Sequence, residues 1–173
     1  MISSRRPGQK PGAWAFALAL FSLASGQGWE VHFSPHGGCT ESIVQAIQAV
    51  KGDTILVQAY NFTSQPIGDA LRASRAAGNV VRIIVDSKAT HQKNCQAQAC
   101  KAAGCEVYVD AKHAIAHNKV MILGPRVLGG SFNYSSNAEE HNAENCPISP
   151  PGWELRASYV RNWMEHLAHS APM

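Results

Sequence analysis

His117 and Lys119 stand two residues apart, Ser131 and Asn133 repeat that spacing, and Glu144 follows within one short stretch, HNKVMILGPRVLGGSFNYSSNAEEHNAEN, residues 117–145. Imidazole is the side chain whose ordinary pKa lets it act as nucleophile, base or acid near neutral pH. In a strand, where side chains alternate, an ammonium two positions on lies on the same face. Ser131 and Asn133 set a hydroxyl and an amide on one face in the same way, after a Gly-Gly that lets backbone approach a ligand closely. Such groups hold phosphoryl oxygens. A carboxylate such as Glu144 can accept the second ring N–H of a histidine, fixing its tautomer and stabilising the imidazolium. The set suits attack on a phosphodiester, with His117, Lys119, Ser131, Asn133 and Glu144 as candidate catalytic residues and Lys119, Ser131, Asn133 and His113 on the substrate side.

His113, four residues before His117, would make an HxxxH metal pair only in a helix. The pattern around it favours a loop or strand and no third ligand is evident, so no metal is assigned. His141, His166 and His169 have no evident catalytic partner and read as surface or packing residues. Glu139 and Glu140 read as helix caps or surface decoration.

The elements that must position these groups follow from periodicity. EVHFS (30–34) alternates like a strand, and Thr40, Ile43, Ile47 and Val50 describe a capped amphipathic helix ending at Gly52. TILVQAY (54–60) is a buried strand. Ser64 and Pro66 open a second helix carrying Ile67, Ala70 and Leu71, stopped by Gly78 before the apolar strand VVRIIVD (80–86). After a polar stretch with a short helix, CEVYVD (105–110) is another strand. KVMIL and RVLGGS flank Gly124-Pro125 as a β-hairpin that would hold the two candidate faces side by side. A one-residue slip there would turn Ser131 and Asn133 away, so register matters. A last helix, about 153–168, carries Leu155, Tyr159, Trp163 and Leu167 as a core stripe. Strand and helix alternate, which implies an α/β fold with a mixed, largely parallel β-sheet flanked by helices on both faces.

Arg5, Arg6 and Lys10 precede an apolar run from Ala13 to Ala24, and small residues follow, so residues 1–26 resemble a secretory signal peptide ahead of one domain over 27–173. An uncleaved leader is the alternative. Export would place the protein in the periplasm or outside the cell. The leader holds three of the 15 Lys+Arg and none of the 12 Asp+Glu, leaving 12 against 12 beyond it. Global charge therefore gives no support for nucleic-acid binding, which must rest on local groups such as Lys88, Lys93, Lys112 and Lys119. Five cysteines, Cys39, Cys95, Cys100, Cys105 and Cys146, leave at least one without an intrachain partner in an oxidising compartment. The run Cys95, Cys100, Cys105 suits either a disulfide clip or buried thiols.

HxK followed by GSxN and a later glutamate resembles the signature of the phospholipase D superfamily, and most closely its small, single-motif bacterial endonucleases. The likeness extends from FSPHGGCT at residue 33 through VQAYNFTSQPIGDAL and VVRIIVD to YVRNWMEHLAHS near the C-terminus. Two departures stand out. The family pattern has an aspartate five residues after the lysine, where this chain has Gly124, and the run to the GSxN serine is one residue short. Glu144 is followed by CPISPPG, where the family continues with an apolar strand, and proline weakens a central strand.

The resemblance implies the α-β-α sandwich of that family, no cofactor, and a homodimer, because a chain with one HxK must meet a second copy across a symmetric interface. It implies cleavage of DNA, or of RNA as well, through a covalent phosphohistidine on His117. The same chemistry serves a phospholipid of the cardiolipin type. A degenerate member would keep only a pocket that binds phosphate or nucleic acid. No stable membrane insertion is expected.

Overall fold

The computed structural model describes residues 28–173; the expected leader at 1–26 lies outside them. In chain order the elements are β1 (Glu30–Ser34), α1 (Cys39–Ala49), β2 (Thr54–Ala59), α2 (Gln65–Ala76), β3 (Val80–Asp86), α3 (Ala97–Ala102), β4 (Glu106–Asp110), β5 (Lys119–Leu123), β6 (Arg126–Leu128), α4 (Ser136–Glu140), β7 (Glu144–Ile148), α5 (Trp153–Leu167) and β8 (Ala171–Pro172). All strands join one sheet in the order β1-β7-β6-β5-β2-β3-β4-β8.

The mixed sheet between helical layers is as expected, but its parallel part is confined to β2, β3 and β4. The remaining pairings are antiparallel. The cause is the connections: α2 and α3 supply the crossovers that parallel neighbours need, whereas β4 reaches β5 through residues 111–118 with no helix, and β5 returns antiparallel to β2.

Strands β2 and β3 are apolar on both faces because both faces are covered. On one side Val57, Ile83 and Met121 pack with Ile43 and Ile47 of α1 and Ile67 and Leu71 of α2. On the other, Leu56, Ile84 and Ile122 meet Trp163, with Tyr159, Val160 and Leu167 of α5 beside them. The indole N–H of Trp163 donates to Val57 O at 3.1 Å, so this large ring is buried without an orphaned donor.

Local details depart from the sequence reading at the α1 cap and at Pro147, and at the cysteines they follow one of its two alternatives, buried thiols. Helix α1 begins at Cys39, and its N-cap Gly38 offers no side chain. The carboxylate of Glu139 does the capping instead, accepting from Gly38 N at 3.1 Å and Thr40 N at 2.7 Å. The cysteines form no disulfide; all five are free. Cys39 lies against Cys146 and Cys100 against Cys105, and burial pushes the Cys39 thiol up to about 11 and the Cys146 thiol up to about 12. Pro147 sits inside β7, opposite Val31, and its carbonyl accepts from Gly129 N at 3.1 Å, so the proline-bearing tail forms its strand.

Candidate active site

The carboxyl ends of β2, β3 and β4 define one edge of the sheet, where ligands bind in open α/β sheets. Tyr60, Asp86 and Asp110 mark that edge on the three parallel strands. The antiparallel β5 begins there with Lys119, and the pairing of Lys119 with Ala59 continues through Tyr60 N to Asn118 O at 3.1 Å. Residue 117 is thereby delivered to the rim.

His117 is exposed, and its ring lies 4.6 Å from the ring of Tyr60, tilted by 55°. Lys119 is only 6 % exposed. Its Nζ donates to His117 O at 2.7 Å and stands 4.9 Å from the centre of the same Tyr60 ring. An aromatic face holds a cation there without taking up an N–H, so the donors not given to His117 O remain for an anion. Burial pushes the Lys119 pKa down, and the nearby Glu144 carboxylate draws it back up. Sequence reasoning gave Tyr60 no role, although an aromatic residue at the carboxyl end of a buried strand was a visible signal.

Ser131 and Asn133 follow β6 rather than lying in it, because the strand ends at Leu128. Ser131 N and Phe132 N both donate to Asn145 O, at 3.2 and 3.3 Å, while Ser131 Oγ accepts from Asn145 N at 3.1 Å. The loop thus leans on β7, and Gly130 makes this possible: at φ +116° a Cβ would sit 2.4 Å from Asn145 O. Beyond it, Tyr134 bridges to Phe62, and Thr63 N and Ser64 N donate to Tyr134 O at 2.9 and 2.8 Å. This fixes the position of Asn133, whose Oδ1 is buried without a hydrogen-bond partner. The orphaned oxygen is an acceptor, and the donor this amide has for a phosphoryl oxygen is its Nδ2.

Glu144 opens β7 beside Ser34. Its Oε1 accepts from Asn142 Nδ2 at 3.0 Å, and among the described residues it makes no hydrogen bond to His117. The expected carboxylate–imidazole pair is not formed; Glu144 instead acts on the field around Lys119. His113 also departs from its expected place. Its Nδ1 faces Asp110 Oδ2 at 3.0 Å, with His166 and His169 on the same oxygen, at the end of β4.

Gly124 closes the β5–β6 turn at φ +56°, with Leu123 opposite Arg126. Five residues from Lys119 along a strand is about 16 Å, so the position belongs to the far end of the hairpin. A side chain there would meet Asp53, whose Oδ2 is 3.1 Å from a built Cβ.

The loop before His117 is pinned by buried carboxylates at the strand ends. Asp86 Oδ2 accepts from Ala116 N at 2.8 Å, and Asp86 Oδ1 from Lys88 N at 2.9 Å.

The rim of the α-β-α sheet thus carries an exposed imidazole against a shielded ammonium, with Ser131 and Asn133 on the loop after β6. The chain belongs to the phospholipase D superfamily of phosphodiesterases: the family model for the cardiolipin synthase, phospholipase D-like domain matches residues 43–167. A phospholipase D of Rickettsia conorii is 36% identical over 137 residues, covering 79% of this chain and 68% of that protein. A mitochondrial cardiolipin hydrolase of Chlamydomonas reinhardtii is 30% identical over 96 residues, 55% of this chain and 43% of that one. Among solved structures, the phospholipase D family member Nuc from Salmonella typhimurium superposes with a TM-score of 0.79 at 27% identity, covering 84% of this chain and 97% of Nuc. NucT from Helicobacter pylori shares the fold, with a TM-score of 0.71 at 20% identity, over 84% of this chain and 99% of NucT.

Proposed function

We propose that this chain is an endonuclease that cleaves DNA, and RNA by the same chemistry, with little sequence preference and without a metal in the reaction. The observation that carries this reading is the exposed His117 ring set beside the shielded Lys119 ammonium, both against Tyr60. In the proposed reaction a ring nitrogen of His117 attacks phosphorus, and the bond to the leaving oxygen breaks as His117 of the partner subunit protonates it. Water then attacks the phosphohistidine, giving its proton back to His117 of the partner subunit and releasing a phosphate monoester. Lys119, Ser131 and Asn133 would hold the non-bridging oxygens as charge shifts onto them.

The homodimer is supported by apolar surface at the β1 edge of the sheet. Helix α5 packs on β2, β4, β5 and β6, whereas Trp29, Val31 and Phe33 of the edge segment stand 59%, 48% and 63% exposed. A second copy is the occupant proposed for this face, since one HxK per chain leaves the reaction short of its acid.

Phospholipid cleavage is the second reading, favoured by the names of the rickettsial and algal relatives. No helix among the described residues is long and apolar enough to cross a membrane. Plasmid nicking and headgroup release from cardiolipin vesicles, run side by side in EDTA, separate the readings. Nicking by the wild type that falls at least ~10³-fold in His117→Asn supports the nuclease. Release from vesicles without nicking would support the lipid reading, and nicking equal in both proteins would refute the role of His117.

A further inference from the structure

On the outer part of the same sheet edge, Asp110, His113, His166 and His169 converge so that one ligand atom from each lies within 4.8 Å of every other. Asp110 ends β4 and its side chain is fully buried. Its Oδ1 takes backbone N–H groups, from Lys112 at 3.0 Å and His113 at 3.4 Å. Its Oδ2 faces His113 Nδ1 at 3.0 Å, His166 Nδ1 at 3.0 Å and His169 Nε2 at 3.2 Å. The histidines come from two places: His113 from the loop after β4, and His166 and His169, three apart, from the end of α5 and just beyond it.

Three ring nitrogens on a single carboxylate oxygen exceed its two lone pairs. These are, however, separations at which one ion can be shared. A tetrahedral zinc-type site with bonds of about 2.0–2.1 Å spaces its ligand atoms about 3.3 Å apart, close to the three oxygen–nitrogen distances. The second carboxylate oxygen is held by the backbone, the outer support that ligating carboxylates have in metal sites. Three imidazoles and one carboxylate select a borderline transition ion over magnesium or calcium.

We infer that Asp110, His113, His166 and His169 form a structural site for one zinc-class divalent ion, which clips the loop carrying His117 to the C-terminal end of α5. The strand order puts three inter-strand spacings, about 14 Å, between β4 and β5, so the ion stays out of the phosphoryl chemistry. It acts on the fold: residues 111–118 are anchored to Asp86 at Ala116 and by the clip at His113, which flank the approach to His117. A closed four-ligand set is the arrangement of structural rather than catalytic zinc.

The full chain, stripped with chelator and dialysed, should take up one Zn²⁺ per chain, measured by elemental analysis after desalting. Thermal melts with Zn²⁺ at 100-fold over Kd should rise by about 5–10 °C. Co²⁺ in place of Zn²⁺ should give the intense visible bands of a tetrahedral site with nitrogen and oxygen ligands. His169→Ala and His166→Gln should each lose the stoichiometric ion and the melting shift; His169 lies outside α5, so its loss leaves the helix intact. Uptake well below one ion per chain, equal uptake in both variants, or a thiolate charge-transfer band pointing to the cysteines would overturn the inference. None of these readouts depends on nuclease activity, so they stand or fall apart from the proposed reaction.

Discussion

At the residue scale, the site turns on how Lys119 is kept charged where water is scarce. Burial works against the ammonium, while the Tyr60 face, His117 O and the Glu144 carboxylate work for it. A cation placed in that way meets a phosphoryl oxygen with little competing solvent, so its removal should be felt in kcat rather than in substrate affinity alone. Lys119→Ala is expected to lower kcat/KM by about 10²–10³-fold in single-turnover nicking. Asn133→Ala should cost less, since it deletes one neutral amide. The five candidate residues stand out by type and spacing, because phosphoryl chemistry draws on few side chains. Their partners were not. Glu144 was expected on His117 and hydrogen-bonds Asn142; His113 was expected toward substrate and faces Asp110. Both observed partners lie only two and three residues away, and the choice between them and a distant group is made by the loop conformation, which spacing does not disclose.

At the element scale, the β5–β6 hairpin and the loop after it set the geometry. The departure at Gly124 falls at the turn, in left-handed backbone and against Asp53, and not at the reacting edge. Restoring the family aspartate should therefore not improve activity. Gly124→Asp is expected to destabilise the protein by about 1–2 kcal/mol, from positive φ and a second carboxylate beside Asp53, read as a lower urea midpoint at unchanged m. Gly130→Ala should do more harm to function, because a Cβ would strike Asn145 O and Pro147 Cδ and push Ser131 and Asn133 off β7. The expected result is a loss of nicking that exceeds the loss of stability. The hairpin, the helices α1 and α2 and the α5 stripe were legible as periodic patterns. Two things were not legible: that β5 would lie antiparallel to β2, and that the helix capped by Glu139 would be α1, since each is fixed by tertiary contact.

At the scale of the whole molecule, the sheet gathers the carboxyl ends of β2, β3 and β4 on one edge and sets both His117 with Lys119 and the histidine cluster along it. The dimer that would complete the reaction leaves a clear expectation. Phe33→Glu on the exposed face of β1 should shift the protein toward monomer in sedimentation velocity and make nicking fall with dilution, while the monomer keeps its fold. Chelation should lower the melting temperature, yet below that temperature nicking should persist at more than about a tenth of its rate, because the proposed ion sits three strand spacings from His117.

The central claim is that His117 forms a covalent bond to phosphorus. The most direct measurement is rapid quench of the wild-type enzyme during turnover of a short DNA duplex, followed by peptide mass spectrometry under conditions that spare phosphohistidine. A DNA-phosphoryl adduct on the peptide carrying His117, absent in His117→Asn, is the expected result. Nicking by wild type with no adduct on that peptide, or with an adduct on another residue, would contradict the account.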